Sequence, residues 1–152
     1  MTERSAVHAT FCIEKVYDAS PARVFKAFSD PAAKARWFGG PAEWGPAKQT
    51  FDFRVGGRET SSGGPKGGPI HHYNALFQDI IPDERIVSTY EMHMDEARIS
   101  VSLATVEFKP EGKGTRLTLT EQGVFLDGYD DAGSREHGTN WLLDKLGDSL
   151  KD

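Results

Sequence analysis

From residue 50 to residue 122 the chain alternates apolar and polar side chains in one short segment after another, and this run limits the fold more than any other feature. Residues 50–55 set Phe51, Phe53 and Val55 against Asp52 and Arg54 and stop at Gly56-Gly57. Residues 58–62 are polar throughout and read only weakly as a strand, and residues 63–69 (Gly-Gly-Pro-Lys-Gly-Gly-Pro) read as a flexible hairpin tip. Residues 71–81 and 85–94 flank the turn Pro82-Asp83-Glu84. Residues 98–108 and 115–122 flank a second turn at residues 110–114, with Val101, Leu103, Leu117 and Leu119 expected on one face. Strands joined by such short connections pair antiparallel.

Helical spacing is confined to the two ends. Residues 8–18 form a first strand, with Phe11, Ile13 and Tyr17 on one parity and Glu14 and Asp18 on the other. Ser20-Pro21 then supplies a capping side chain followed by a residue that needs no backbone donor, and Val24, Phe25 and Phe28 recur at helical spacing. Asp30-Pro31 repeats the start signal for a second short helix, which runs to Trp37 or Phe38 and closes at Gly39-Gly40. Trp141, Leu142, Leu146 and Leu150 place a long helix over about residues 132–150. The order predicts a single α+β domain spanning residues 1–152. It has the helix-grip fold: a curved antiparallel sheet of six to seven strands around the long C-terminal helix, with two short helices after the first strand.

Composition excludes several function classes. A chain of 152 residues with a formal net charge of −5 lacks the basic patch that phosphate backbones require, so nucleic acid is not an expected partner. No apolar run reaches the ~20 residues of a membrane span, and Met1-Thr2-Glu3-Arg4-Ser5 has no apolar signal core, so a cytoplasmic protein is expected. One cysteine, Cys12, admits no internal disulfide, and its place on the first strand suggests a buried structural thiol.

The segments at residues 15–28 (Lys-Val-Tyr-Asp-Ala-Ser-Pro-Ala-Arg-Val-Phe-Lys-Ala-Phe), Trp37-Phe38-Gly39-Gly40-Pro41 and Asp52-Phe53-Arg54-Val55-Gly56-Gly57-Arg58 carry a pattern. It continues through Ile80-Ile81-Pro82-Asp83-Glu84-Arg85, Gly114-Thr115-Arg116-Leu117 and His137-Gly138-Thr139-Asn140-Trp141. Together these resemble the START-like (SRPBCC) superfamily over residues 11–150, in the branch named after the activator of the heat-shock-protein-90 ATPase. The resemblance implies an apolar cavity between sheet and terminal helix, which members use for lipids, hormones or polyketides, some as cyclases or hydrolases. The namesake's chaperone role belongs to proteins with an additional N-terminal domain, which this chain is expected to lack. Two departures stand out: Ser20 stands where a proline is common, and residues 58–62 are polar where aromatics are usual. The second bears on how closed and apolar that end of the cavity is.

The expected cavity lining is Trp37, Phe38, Phe51, Phe53, Tyr73, Phe77, Tyr90, Met92, Val101, Leu103, Leu119, Glu121, His137 and Trp141. Any one of these rings taken singly reads more readily as core filling, since large aromatics dominate cores, whereas the set together with the fold points to a cavity. Tyr73, Tyr90, His93, His137 and Asn140 are the polar groups available to orient a ligand. Glu121 shares the parity of Leu117 and Leu119; pointing inward, it would be a desolvated general acid or base. The plainer reading has the parity break near the strand end, leaving Glu121 solvated or paired with arginine.

No metal, cofactor or catalytic set is expected. His71 and His72 are adjacent on a strand and face opposite ways, and there is no paired-cysteine or spaced-histidine motif. A nucleophile elbow is missing, and Lys66 is followed by glycines rather than by the Ser or Thr of a phosphate loop. Three functions follow as expectations: binding of a small hydrophobic or amphipathic molecule, a cyclase- or hydrolase-like enzyme acting on an apolar molecule in the same cavity, and a stress-response or chaperone-related interaction module. Unpaired sheet edges leave room for a homodimer, and the namesake's role for a chaperone partner.

Overall fold

The computed structural model describes residues 3–151. Ser20 accepts a hydrogen bond from the Arg23 backbone N–H at 3.2 Å and starts α1 (Pro21–Ser29). Asp30 accepts from the Ala33 N–H at 2.9 Å and starts α2 (Pro31–Ala35). These are the two cap-plus-proline signals of the sequence. The strands are β1 (Ala6–Tyr17), β2 (Lys48–Phe51), β3 (Arg58–Gly63), β4 (His71–Ile81), β5 (Arg85–Met94), β6 (Ala97–Glu111) and β7 (Gly114–Leu126). A helix α3 (Ala132–Ser149) follows, capped by Asp131, whose carboxylate accepts from the Ser134 N–H at 2.8 Å. Among the described residues no helix is long and apolar enough to cross a membrane.

The seven strands form one antiparallel sheet in the order β1-β7-β6-β5-β4-β3-β2. Register shifts after Phe77 and after Met92 are bulges of the kind that bend a sheet, and the concave face takes α3. At one end of that face Ile13, Val106, Phe108, Leu117 and Leu119 close against Val24, Phe25 and Phe28 of α1 and Leu143 and Leu146 of α3. Leu117, Leu143, Leu146 and Val24 are fully buried there, so this end carries the hydrophobic stabilisation. Tyr17 spans the layers, its phenol donating to the Leu143 carbonyl at 2.8 Å.

Three expectations are corrected. The strand expected over residues 50–55 stops at Phe51, and the chain turns through Gly56 (φ 84°) and Gly57, where a Cβ would lie 2.1 Å from the Asp52 carbonyl oxygen. Phe53 therefore sits on a turn, its ring packed edge-on against Phe25 and Phe77 in the core. Second, β6 runs on through Pro110 and Glu111, and its connection to β7 is the two residues Gly112 (φ 59°) and Lys113, with Glu111 opposite Gly114. That tighter turn pairs Leu119 with Val106 and Leu117 with Phe108, so Val101 and Leu103 lie on the convex face, 39% and 36% exposed. Third, Cys12 is exposed, because Phe11 and Ile13 take the inward parity of β1.

Candidate functional site

Away from the packed end, the concave face mixes small and large residues. Read across the sheet by register, one row runs Ala75, Tyr90, Ser102, Gly123 and the next Phe77, Ser88, Ala104, Glu121. Opposite them α3 presents Ser134, Gly138 and Thr139. Between Ser88 and Ala104 on the sheet and Gly138 and Thr139 on α3 the layers do not meet, and a cavity of about 420 Å³ remains. It falls within the usual size of small-molecule sites, about 300–1,000 Å³.

Nine of the fourteen expected residues line it: Trp37, Phe38, Tyr73, Phe77, Tyr90, Met92, Leu119, Glu121 and Trp141. Trp141 stands 42% exposed, with the Lys145 ammonium 4.4 Å from its ring centroid. Five do not reach the cavity. Val101 and Leu103 are on the convex face, and Phe53 packs half-buried against the core. Phe51 lines a separate space of about 50 Å³ that shares Lys34, Phe38 and Glu59 with the main cavity. His137 is exposed on α3, one residue from the inward Gly138. The other histidines separate as strand alternation requires. His71 stacks on Trp44 at 5.1 Å beside the cavity, whereas His72 bonds Ser62 at 2.8 Å and His93 bonds Glu91 at 2.9 Å.

Two polar clusters are built into the apolar walls. In the first, Lys34 of α2 donates to Glu59 of β3 at 2.5 Å, with both side chains nearly buried. Burial pulls the Lys34 pKa down while Glu59 pulls it up, and the Nζ lies 4.5 Å from the Phe38 ring centroid. In the second, Arg135 of α3 donates through Nη1 to the Tyr90 hydroxyl at 3.0 Å, and Tyr90 donates to Glu121 Oε2 at 2.8 Å. Arg135 Nη2 reaches Ser100 at 2.7 Å and Asp130 at 3.0 Å. Glu121 is 3% exposed, and burial holds its carboxyl above the usual range against the opposing pull of Tyr90 and Arg135. Burial, followed by nearby carboxylate charge, holds the phenols of Tyr73 and Tyr90 well above their ordinary value, so both remain donors at physiological pH.

Glu121 thus points inward as its parity indicates and is also paired with arginine, joining the two alternatives of the sequence. Lys34, Glu59 and Arg135 escaped the sequence reading. The signal for Arg135 was available: counting back from Leu146 and Leu142 in steps of three and four leads through Gly138 to Arg135 on the inward face. For Glu59 the only hint was the polar third strand, and nothing local marked Lys34 as its partner. The cavity can therefore hold an apolar body and offer phenol and hydroxyl donors to a polar group.

A model of the family described as activator of Hsp90 ATPase homolog 1-like proteins matches residues 18–151. A crystal structure of a protein from Rhizobium loti is 50% identical, covering 95% of this chain and 99% of that one, with a TM-score of 0.89. An uncharacterized protein from Rhizobium leguminosarum is 47% identical over 99% of both chains, with a TM-score of 0.94. A protein from Chromobacterium violaceum is 26% identical, covering 94% of this chain and 97% of that one, with a TM-score of 0.78. No curated protein matches the sequence.

Proposed function

This chain belongs to the family of activator of Hsp90 ATPase homolog 1-like proteins, and from that premise we propose that it binds a small hydrophobic or amphipathic molecule between its sheet and C-terminal helix. The observation that carries the proposal is the cavity of about 420 Å³, with aromatic walls and a few fixed polar groups. Folding alone would favour filling such a gap, because interiors pack to crystal-like density.

A thermal-shift screen of the purified protein against fatty acids, sterols, flavonoids and aromatic polyketide analogues tests the proposal. A ligand at 100 times its Kd stabilises the folded state by about 2.7 kcal/mol. For a chain of this size the midpoint should rise by roughly 5–10 °C. No shift anywhere in the panel would count against the pocket as a binding site.

Contact between Glu121 and Tyr90 inside the same cavity favours a second reading, acid–base catalysis on an apolar molecule held there. A ligand recovered chemically unchanged after prolonged incubation supports binding alone; appearance of product supports catalysis.

A further inference from the structure

We infer that the cavity selects an uncharged molecule whose polar group is a hydroxyl or carbonyl, held by the hydroxyls of Tyr73 and Ser88. The inference rests on the ligand-binding reading above and adds the charge and anchoring chemistry of the ligand.

Its first support is that the cavity's charges are already committed. Lys34 is held by Glu59, and Arg135 is shared among Tyr90, Ser100 and Asp130, with Glu121 3.5 Å away. Neither cation remains to neutralise a carboxylate or phosphate on a ligand, and an anion buried without such a partner is strongly disfavoured. A cationic ligand fares no better. Glu59 and Glu121 already accept from Lys34 and Tyr90, and an ammonium placed beside them would share the cavity with Lys34 and Arg135.

The second support is that two hydroxyls in the same cavity are uncommitted. Tyr73, wedged between the rings of Phe38 at 5.1 Å and Tyr90 at 5.0 Å, has no hydrogen-bond partner for its phenol among the described residues. The Ser88 hydroxyl, between Phe77 and Ala104 in its row, has none either. Each is able both to donate and to accept. Both hydroxyls are accessible from the cavity, so a ligand there can reach them. A neutral hydroxyl or carbonyl would pair these two without disturbing either ion pair, and its apolar body would lie on Phe77, Ile86, Val106 and Leu119.

Four probes with one ring system separate the possibilities: phenanthrene, phenanthren-9-ol, phenanthrene-9-carboxylate and phenanthren-9-ylmethylamine, titrated at pH 7. Quenching of Trp37, Trp44 and Trp141, all of which line the cavity, reports binding. The alcohol is expected to bind about tenfold more tightly than the carboxylate or the amine. Tyr73→Phe and Ser88→Ala should each weaken the alcohol several-fold while leaving phenanthrene unchanged, which a merely structural defect would not do. Carboxylate or amine binding as tight as the alcohol overturns the inference and leaves the pocket standing. If none of the four binds, the pocket reading falls with it.

Discussion

Glu121 occupies a place where ionisation is unfavourable, and its effect on stability has a definite sign. Burial holds its carboxyl above the ordinary value of about 4.3, so the folded chain binds that proton more tightly than the unfolded chain. Between the ordinary and the raised value, this group makes the fold less stable as pH rises, and above the raised value the whole penalty is present. Glu121→Gln keeps an acceptor for Tyr90 and removes the charge. Urea titrations from pH 4 to pH 8 should therefore show the variant gaining on the parent as pH increases. Asp127 and Asp131, whose carboxyls are held low by hydrogen bonds to Ser5 and Ser134, act in the opposite sense at lower pH and equally in both proteins. A gap between the two proteins that is constant across pH would mean that Glu121 titrates normally. The inward direction of Glu121 was legible from Leu117 and Leu119, whereas Val101 and Leu103 were misassigned to the same face. Strand parity survives only as far as the next turn, and counting Gly112-Lys113 as part of a longer loop reversed it.

Between elements, the Lys34–Glu59 pair ties α2 to β3. Removing one partner leaves the other charge buried and uncompensated, which typically destabilises by about 3–5 kcal/mol. Lys34→Met should accordingly lower the melting temperature by roughly 6–20 °C for a chain of this size. The double variant Lys34→Met/Glu59→Leu should recover most of that loss, because apolar replacement of a whole buried pair is often neutral or stabilising. Equal losses in the single and double variants would show that the pair stabilises by packing rather than by mutual neutralisation. This junction also marks the limit of pattern reading at the element scale. Both helix starts were visible because capping is local, set by Ser20-Pro21 and Asp30-Pro31 within one turn. The third strand looked featureless because its inward Glu59 is satisfied by a residue 25 positions upstream, and no local pattern announces such a partner.

At the scale of the whole molecule, the cavity follows from where bulk is withheld. Tyr17 and Leu117 fill the space under one half of α3, while Ser88 and Ala104 of the sheet and Gly138 of α3 line the half that stays open. The order of elements was sufficient to expect this layered architecture, but the extent of the gap depends on pairs of facing residues that only the register identifies. Gly138 is the sharpest test of it. The residue lines the cavity from α3, and a Cβ built there would meet nothing within 4 Å, so Gly138→Leu should project its isobutyl group into the empty volume. Leucine also favours the helix over glycine by up to about 1 kcal/mol, so the variant should melt no lower than the parent and up to about 4 °C higher. A more stable protein that no longer binds any ligand of the parent would place the ligand between helix and sheet. Retained binding in a protein with raised stability would mean that leucine and ligand share the cavity or that the ligand sits elsewhere, and titration of Tyr73→Phe in that background distinguishes the two: weaker binding keeps the ligand in the cavity, and unchanged binding removes it.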